Sequence, residues 1–445
     1  MGNLLIYPRS KHGNVYVARG GEGDVLVIDG KARPKDHEAA EYLRENFPFT
    51  APVPVLGRER SFGVGDRLGI ATPGHIRVFR KYDAAPVLAQ QSMRELKLTG
   101  RTYEDVLDAV TFAVFREDYQ DGFGADGDHL KTMDEVKGAL ELGFSMITLD
   151  CSEHIRGDGG KAELSQEVRQ RYLGRTFVLE DGAGIVFTED DLAQAQHIYG
   201  DAIRFAKQVW EKFFLDGGAS TELEISIDET ATPTTPQQHF FAASELKAAG
   251  VHMATLAPRF CGEFQKGIDY IGDVSQFDAE MRIHAAIARH FGYKISVHSG
   301  SDKFSVFPSI GKHTRGVFHV KTAGTNWLEA MRVCAEKDPA LYREAHAFAL
   351  EHFNEARAYY HVSADPARIP DLRDLADAEL PGLMDDKDAR QLIHITYGLI
   401  LSDARLHSKL YRFWDANAQS YAEKLERHIG RHMRLLGVPE KETDR

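Results

Sequence analysis

The stretch Lys294–Ala323, KISVHSGSDKFSVFPSIGKHTRGVFHVKTA, decides the fold. It holds two short β-type runs, KISVH and GVFHVKT, each carrying polar and ionisable residues at its end. A buried strand is normally a run of Val, Ile and Phe bounded by turn residues. Here His298, Ser299, Ser301, Asp302 and Lys303 crowd the end of the first run, and His319, Lys321 and Thr322 crowd the second. Functional groups gathered past the carboxyl ends of parallel strands are the habit of a (β/α)8 barrel. One such loop on its own reads as two core strands with a solvated connection. The pattern recurs elsewhere in the chain, and the recurrence favours the barrel.

Counted from Arg67, eight runs read as strands: 67–72, 122–127, 145–150, 223–228, 251–258, 294–298, 316–321 and 392–397. Most alternate with helical patterns, such as Tyr103–Glu117 behind a Thr102 cap and Asp278–His290 closed by Gly292. Repeated βα units imply a parallel sheet with right-handed crossovers. The expected fold class is therefore α/β: a (β/α)8 TIM-type barrel with an N-terminal β-hairpin extension and an insertion after the third strand. Residues 1–60 are expected to form the extension, with a hairpin of Asn14–Arg19 and Asp24–Ile28 around Gly20-Gly21-Glu22-Gly23 and a short helix after it. Residues 61–445 are expected to form the barrel, with the insertion at 155–190 and a C-terminal helix over 406–436. An open doubly wound sheet would favour a GxGxxG turn after the first strand, and none stands there. Neither a P-loop nor a GxSxG elbow occurs.

Composition narrows the function. The chain has 445 residues and a net charge of −13, with 43% hydrophobic residues, enough for a sizeable core. The acidic balance argues against nucleic acid and anionic membrane surfaces, which reward clustered Lys and Arg. No apolar run reaches the length of about 18 residues that a membrane helix needs, and the start carries no secretory signal pattern. Cys151, Cys261 and Cys334 are too few and scattered for a disulfide framework, and free thiols fit a cytoplasmic protein. A small-molecule substrate is the expected partner, and a homo-oligomer is compatible with the sequence.

Strand ends of a barrel converge on one site. The inventory includes Asp126, Asp128 and His129; Asp150, Glu153 and His154; Asp228 and Glu229; Arg259 and Glu263; and the groups of the opening stretch. Among 20 histidines, His154, His298 and His319 stand at three strand ends and make a candidate facial set for a divalent metal, Mn, Ni, Zn or Fe. Each alone reads more often as a hydrogen-bonded structural histidine, and the three together, flanked by carboxylates and Lys, bring the two readings level. Glu153 and Glu263 are candidate base and acid, since carboxylates near a metal can have their pKa values pushed apart. Each alone also reads as an exposed carboxylate. Lys303, Lys321 and Arg259 would give the site positive charge for a substrate carboxylate or phosphate. Asp128, Ser299 and Asp302 complete the substrate-binding candidates.

Three stretches, TLDCSEHI (148–155), APRFCGEFQKGIDYIGD (257–273) and SVHSGSDKFSVFPSIGK…FHVKTAGTNWLEA (296–330), resemble the tagaturonate/fructuronate epimerases of hexuronate breakdown. The resemblance runs from about Gly65 onward. It implies a metal-dependent barrel enzyme interconverting D-tagaturonate and D-fructuronate, with Glu153 as proton acceptor and His154 and His298 as metal ligands. His319 is placed as third ligand and Glu263 as proton donor. The two ketouronates differ at C4, which is not adjacent to the C2 carbonyl, so simple enolisation cannot interconvert them and a retro-aldol route is expected. The alternatives are an aldolase or ketose isomerase on another sugar acid, or a sugar-acid binding barrel without catalysis.

Overall fold

The computed structural model describes residues 5–21, 23–157, 159–215, 221–322 and 324–442. Its centre is a closed barrel of parallel strands in chain order: β1 Arg60–Val64, β2 Ala85–Ser92, β3 Gly124–Leu130, β4 Met146–Asp150, β5 Glu222–Ile227, β6 Thr255–Pro258, β7 Lys294–Val297 and β8 Phe318–Thr322. β8 pairs with β1 from Phe318↔Arg60 to Thr322↔Val64, which closes the ring and leaves no edge. Helices between strands are started by Thr caps with reciprocal boxes at Thr102/Asp105, Thr132/Glu135, Thr188/Asp191 and Thr235/Gln238.

Six of the expected strands lie on or overlap barrel strands. The other two do not. Residues 67–72 form a turn, not the first strand: the Asp66 carboxylate accepts the backbone N–H groups of Leu68, Gly69 and Ala71 at 3.0, 2.9 and 2.7 Å. The first strand lies just before it. Residues 392–397 belong to the helix Lys387–Ile395 and the residues after it, and a short apolar run buried on every side reads equally as helix or strand. The second strand, APVLAQQS, lacks a strand signal in the sequence because Pro86 demotes such a run and two glutamines follow its apolar half.

The N-terminal hairpin is present as Val15–Gly20 against Gly23–Ile28, although Glu22 of its turn lies outside the described residues. Leu5–Ile6 and Lys31–Arg33 extend it to four antiparallel strands. Val15, Val17, Leu26 and Leu43 pack with Phe112 and Phe115 of the barrel helix Tyr103–Glu117. The chain then crosses the barrel's N-terminal end, where the backbone N–H groups of Val55, Leu56 and Gly57 all donate to Glu222. The segment after β4 forms a short helix, Gln166–Tyr172, and a hairpin, Thr176–Val178 with Gly184–Val186, whose Tyr172, Ile185 and Phe187 pack on Phe240 and Phe241.

Past β8 the chain builds a second core, centred on Trp327, Trp414, Leu392 and Leu410, from helices between Thr325 and Ala416. Both indoles are satisfied, by the carbonyls of Ile393 at 2.8 Å and Ala330 at 3.1 Å. The expected terminal helix is split into Ala404–Ala416 and Ala418–Leu435. The latter returns to the barrel and packs between Thr72–Lys81 and Phe307–His313, filling the ring position after β8. Two glycines permit the approach. A Cβ on Gly74 would meet Leu425 at 2.9 Å, and one on Gly311 would meet the Leu436 carbonyl oxygen at 2.2 Å. Among the described residues no helix is long and apolar enough to cross a membrane.

Candidate active site

The barrel interior is polar. Alternate residues of a strand face opposite sides, so Asp126 and Asp128, Thr148 and Asp150, Glu224 and Ser226, and His319 and Lys321 share buried faces of their strands. At the lower level Lys294 donates to the Arg58 carbonyl at 2.7 Å and to Ser61 at 2.9 Å, and Ser61 meets His319 Nδ1 at 2.9 Å. Above them Glu224 accepts from Thr255 at 2.6 Å and pairs with His298 Nε2 at 2.7 Å. Lys321 reaches across the barrel to Asp126 at 2.6 Å, to Asp128, to Thr148 at 2.6 Å and to Glu224 at 3.3 Å.

This network fixes the charges. Burial pushes the Asp126 carboxyl up to about 6, against the pull of Lys321. Burial opposes ionisation of Asp128 and Glu224 too, but Lys321 outweighs it, aided by His129 for Asp128 and by His298 for Glu224, and both carboxyls lie below their usual range. Burial likewise opposes charge on His298, but Asp228 and Glu224 hold its proton and raise it to about 10. Among the described residues no carboxylate lies at hydrogen-bond range of His319, and burial drops it to about 3.

A cavity of about 330 Å³ opens at the carboxyl ends of the strands, lined among others by Asp128, His129, Asp150, Asp228, His298 and Lys321. Ligand atoms of His129, Asp228 and His298 lie within 4.8 Å of one another. His129 lies within a register shift of β3 and holds φ +57°, a strained conformation, with its ring centroid 4.9 Å from that of His298. Glu224 fixes His298 through Nε2, while the buried Nδ1 faces Asp228 at 3.3 Å. A carboxylate behind the far nitrogen of an imidazole is the usual support of a metal-ligating histidine. Two imidazoles and a carboxylate fit a divalent transition metal.

The expected site residues separate into four groups. His298, Ser299, Asp128 and Lys321 line the cavity. Glu263 and Arg259 line an adjoining lobe of about 360 Å³ that shares Asp228, His298 and Ser299 with the first, and Glu263 pairs with His361 at 3.5 Å. Glu153 stands near the rim, its carboxylate 3.7 Å from the cavity-lining Lys131. The remaining four line neither space. His154 stacks on Phe205 with ring centroids 4.2 Å apart. His319 lies in the barrel interior on Ser61. Asp302 is buried between Arg390 at 2.6 Å and His428 at 2.7 Å. Lys303 donates to the carbonyls of Gln265, Ile268 and Ser301 at 2.9, 2.6 and 2.9 Å, tying the loop after β6 to the loop after β7. Asp302 and Lys303 thus set the shape of the loop that carries Ser299. Glu224, Arg94 and Lys266 were not foreseen. Only Glu224 left a signal, the alternation of LEISID, which puts Glu224, Ser226 and Asp228 on one face.

A family model described as tagaturonate epimerase matches residues 11–436. The chain belongs to the tagaturonate epimerase family. As a family member it is an enzyme of the isomerase class. A tagaturonate/fructuronate epimerase of Thermotoga maritima is 42% identical over 93% of this chain and 92% of its own length. A glycerol-complexed crystal structure of the fructuronate-tagaturonate epimerase UxaE from Cohnella laeviribosi is 45% identical, covers 98% of this chain and 97% of its own, and superposes with a TM-score of 0.94. The native crystal structure of that protein is 44% identical over the same shares, also with a TM-score of 0.94. The similarity therefore takes in the barrel, the N-terminal strands and the helices after β8 together.

Proposed function

We propose that this tagaturonate epimerase family member interconverts D-tagaturonate and D-fructuronate by inverting C4 through retro-aldol cleavage and re-addition. The observation that carries the reaction is the match, over more than nine-tenths of the chain, to relatives named for it. A divalent metal held by His129, Asp228 and His298 would act as a Lewis acid on the C2 carbonyl and a neighbouring hydroxyl of the substrate. His298 is common to this set and to the one implied by resemblance, His154 with His298 and His319.

The chain's own groups move the protons. Glu153 takes the proton of the C4 hydroxyl as the C3–C4 bond breaks. The bonding electrons pass to C2–C3, giving a three-carbon enediolate and a three-carbon aldehyde that keeps the carboxylate. The aldehyde turns about its C4–C5 bond and presents its other face. C3 re-adds, and Glu263 protonates the new C4 alkoxide. Glu153 and Glu263 then exchange protons with water, so no atom is gained or lost. Glu153 beside the cavity-lining Lys131 and Glu263 in the adjoining lobe supply the two carboxylates that an acceptor and a donor require.

Proton NMR of D-fructuronate with chelated enzyme, and again after Mn or Ni is restored, tests the reading. Metal-dependent D-tagaturonate, lost in His298→Ala, is the expected result. Metal content of His129→Ala, His154→Ala and His319→Ala discriminates the ligand sets, with loss expected only for His129→Ala. Absence of conversion with any divalent metal would move the function to an aldolase or isomerase acting on another sugar acid.

A further inference from the structure

Two of the four Lys and Arg side chains that line the cavity are paired with carboxylates. Lys321 is surrounded by three carboxylates, and Lys131 lies 3.5 and 3.7 Å from Asp150 and Glu153. Arg94 and Lys266 differ. Both line the cavity and its adjoining lobe, where the two spaces meet. Among the described residues no carboxylate lies within ion-pair distance of either. Lys266 Nζ donates to Ser299 Oγ at 3.0 Å, one residue beyond His298. The Arg94 guanidinium lies over the Tyr360 ring, 5.1 Å from its centroid, which holds it without neutralising it.

The electrostatics point the same way. Burial lowers the Lys266 ammonium, and Arg94 is the next cause, so the two cations repel each other across the space between them. Glu229 lines both lobes as well, and it leaves the pair with an excess of positive charge. Two cations held together in a partly enclosed space, beside a hydroxyl and without a carboxylate partner, make a receptor for an anion.

We infer that Arg94 and Lys266, with Ser299, form the subsite that binds the carboxylate of the sugar-acid substrate and so determine selection of a uronate over a neutral ketose. The inference rests on the proposed reaction for its substrate. In that reaction the carboxylate stays on the aldehyde fragment, which must be retained while it turns. An anchor at the carboxylate permits rotation about C4–C5 without escape. Arg259 lines the adjoining lobe alone, whereas Arg94 and Lys266 line both spaces.

The test uses metal-loaded full-length enzyme and the variants Arg94→Met, Lys266→Met and Lys266→Arg. KM for D-fructuronate is expected to rise about 30-fold in each Met variant, the loss typical of a hydrogen bond to a charged group, with kcat changed about threefold or less. Lys266→Arg is expected to recover most of the loss. A calorimetric titration with D-galactonate, a sugar acid without a carbonyl to react, gives a second readout. Its binding is expected to weaken in both Met variants, while metal content stays at the wild-type level. Unchanged KM and unchanged galactonate binding would overturn the inference. So would a fall in kcat with KM constant, which marks a structural role. If wild-type enzyme leaves D-fructuronate unconverted but binds galactonate through Arg94 and Lys266, the subsite stands and the proposed reaction falls.

Discussion

At the scale of the residue, the site is a problem of charge. Asp126, Asp128 and Glu224 surround one ammonium, Lys321, in the barrel interior. Removing one partner of a buried ionic network leaves the others uncompensated and costs about 3–5 kcal/mol. Lys321→Met is therefore expected to lower unfolding free energy in urea by that amount at pH 7. Mild acid should restore part of it, because Asp126, already raised to about 6, can neutralise by taking a proton. A variant as stable as wild type would show that the three carboxylates do not depend on the lysine. These residues were partly legible in the sequence. Polar side chains at every second position of an apolar strand, as in LEISID and FHVKT, mark an inward polar face. The direction of His154 was not legible, since a residue just past a strand end can turn to the mouth or, as here, onto Phe205.

At the scale of the element, the helices after β5 and β6 meet through a buried histidine pair. His239 Nδ1 and His284 Nδ1 are 2.9 Å apart, and Tyr293 holds the other nitrogen of His239 at 2.6 Å. Burial drops His284 to about 4 and His239 well below its usual value. An unfolded histidine titrates near 6.5. Between that value and 4 the unfolded chain binds more protons than the folded one, so stability rises with pH there and falls as pH drops. His284 contributes a slope of up to about 1.4 kcal/mol per pH unit in that window. Urea unfolding at pH 7.5, 6 and 5 should show this decline, and His284→Leu should flatten it. An unchanged slope in His284→Leu would place the acid sensitivity elsewhere. Element identity followed the periodicity where one face was exposed, as in Tyr103–Glu117. It failed for QLIHITYG and APVLAQQS, whose residues are buried almost throughout, because burial on all sides erases the period that separates helix from strand.

At the scale of the whole molecule, the ring is completed by Ala418–Leu435, which comes back after the helices of the second core. Gly311 allows the turn after that helix to lie against Phe307–His313. Gly311→Val would drive a side chain into the Leu436 carbonyl, which sits on backbone and cannot rotate aside. Overpacking of this kind costs about 1–3 kcal/mol. The variant is expected to melt earlier than wild type and to lose activity with the packing, measured by thermal unfolding and the NMR assay. A wild-type melt would mean that the helix moves away at no cost.

The sequence by itself determined the barrel, six of its strands, the N-terminal hairpin and the family resemblance, because these rest on local periodicity and on long runs of matching residues. Tertiary structure decided which polar groups meet. His129, Asp228 and His298 come from three strands, and nothing in their spacing joins them. It also decided that Asp302 and Lys303 face inward to brace loops, since a buried charge takes whichever partners the fold brings within reach.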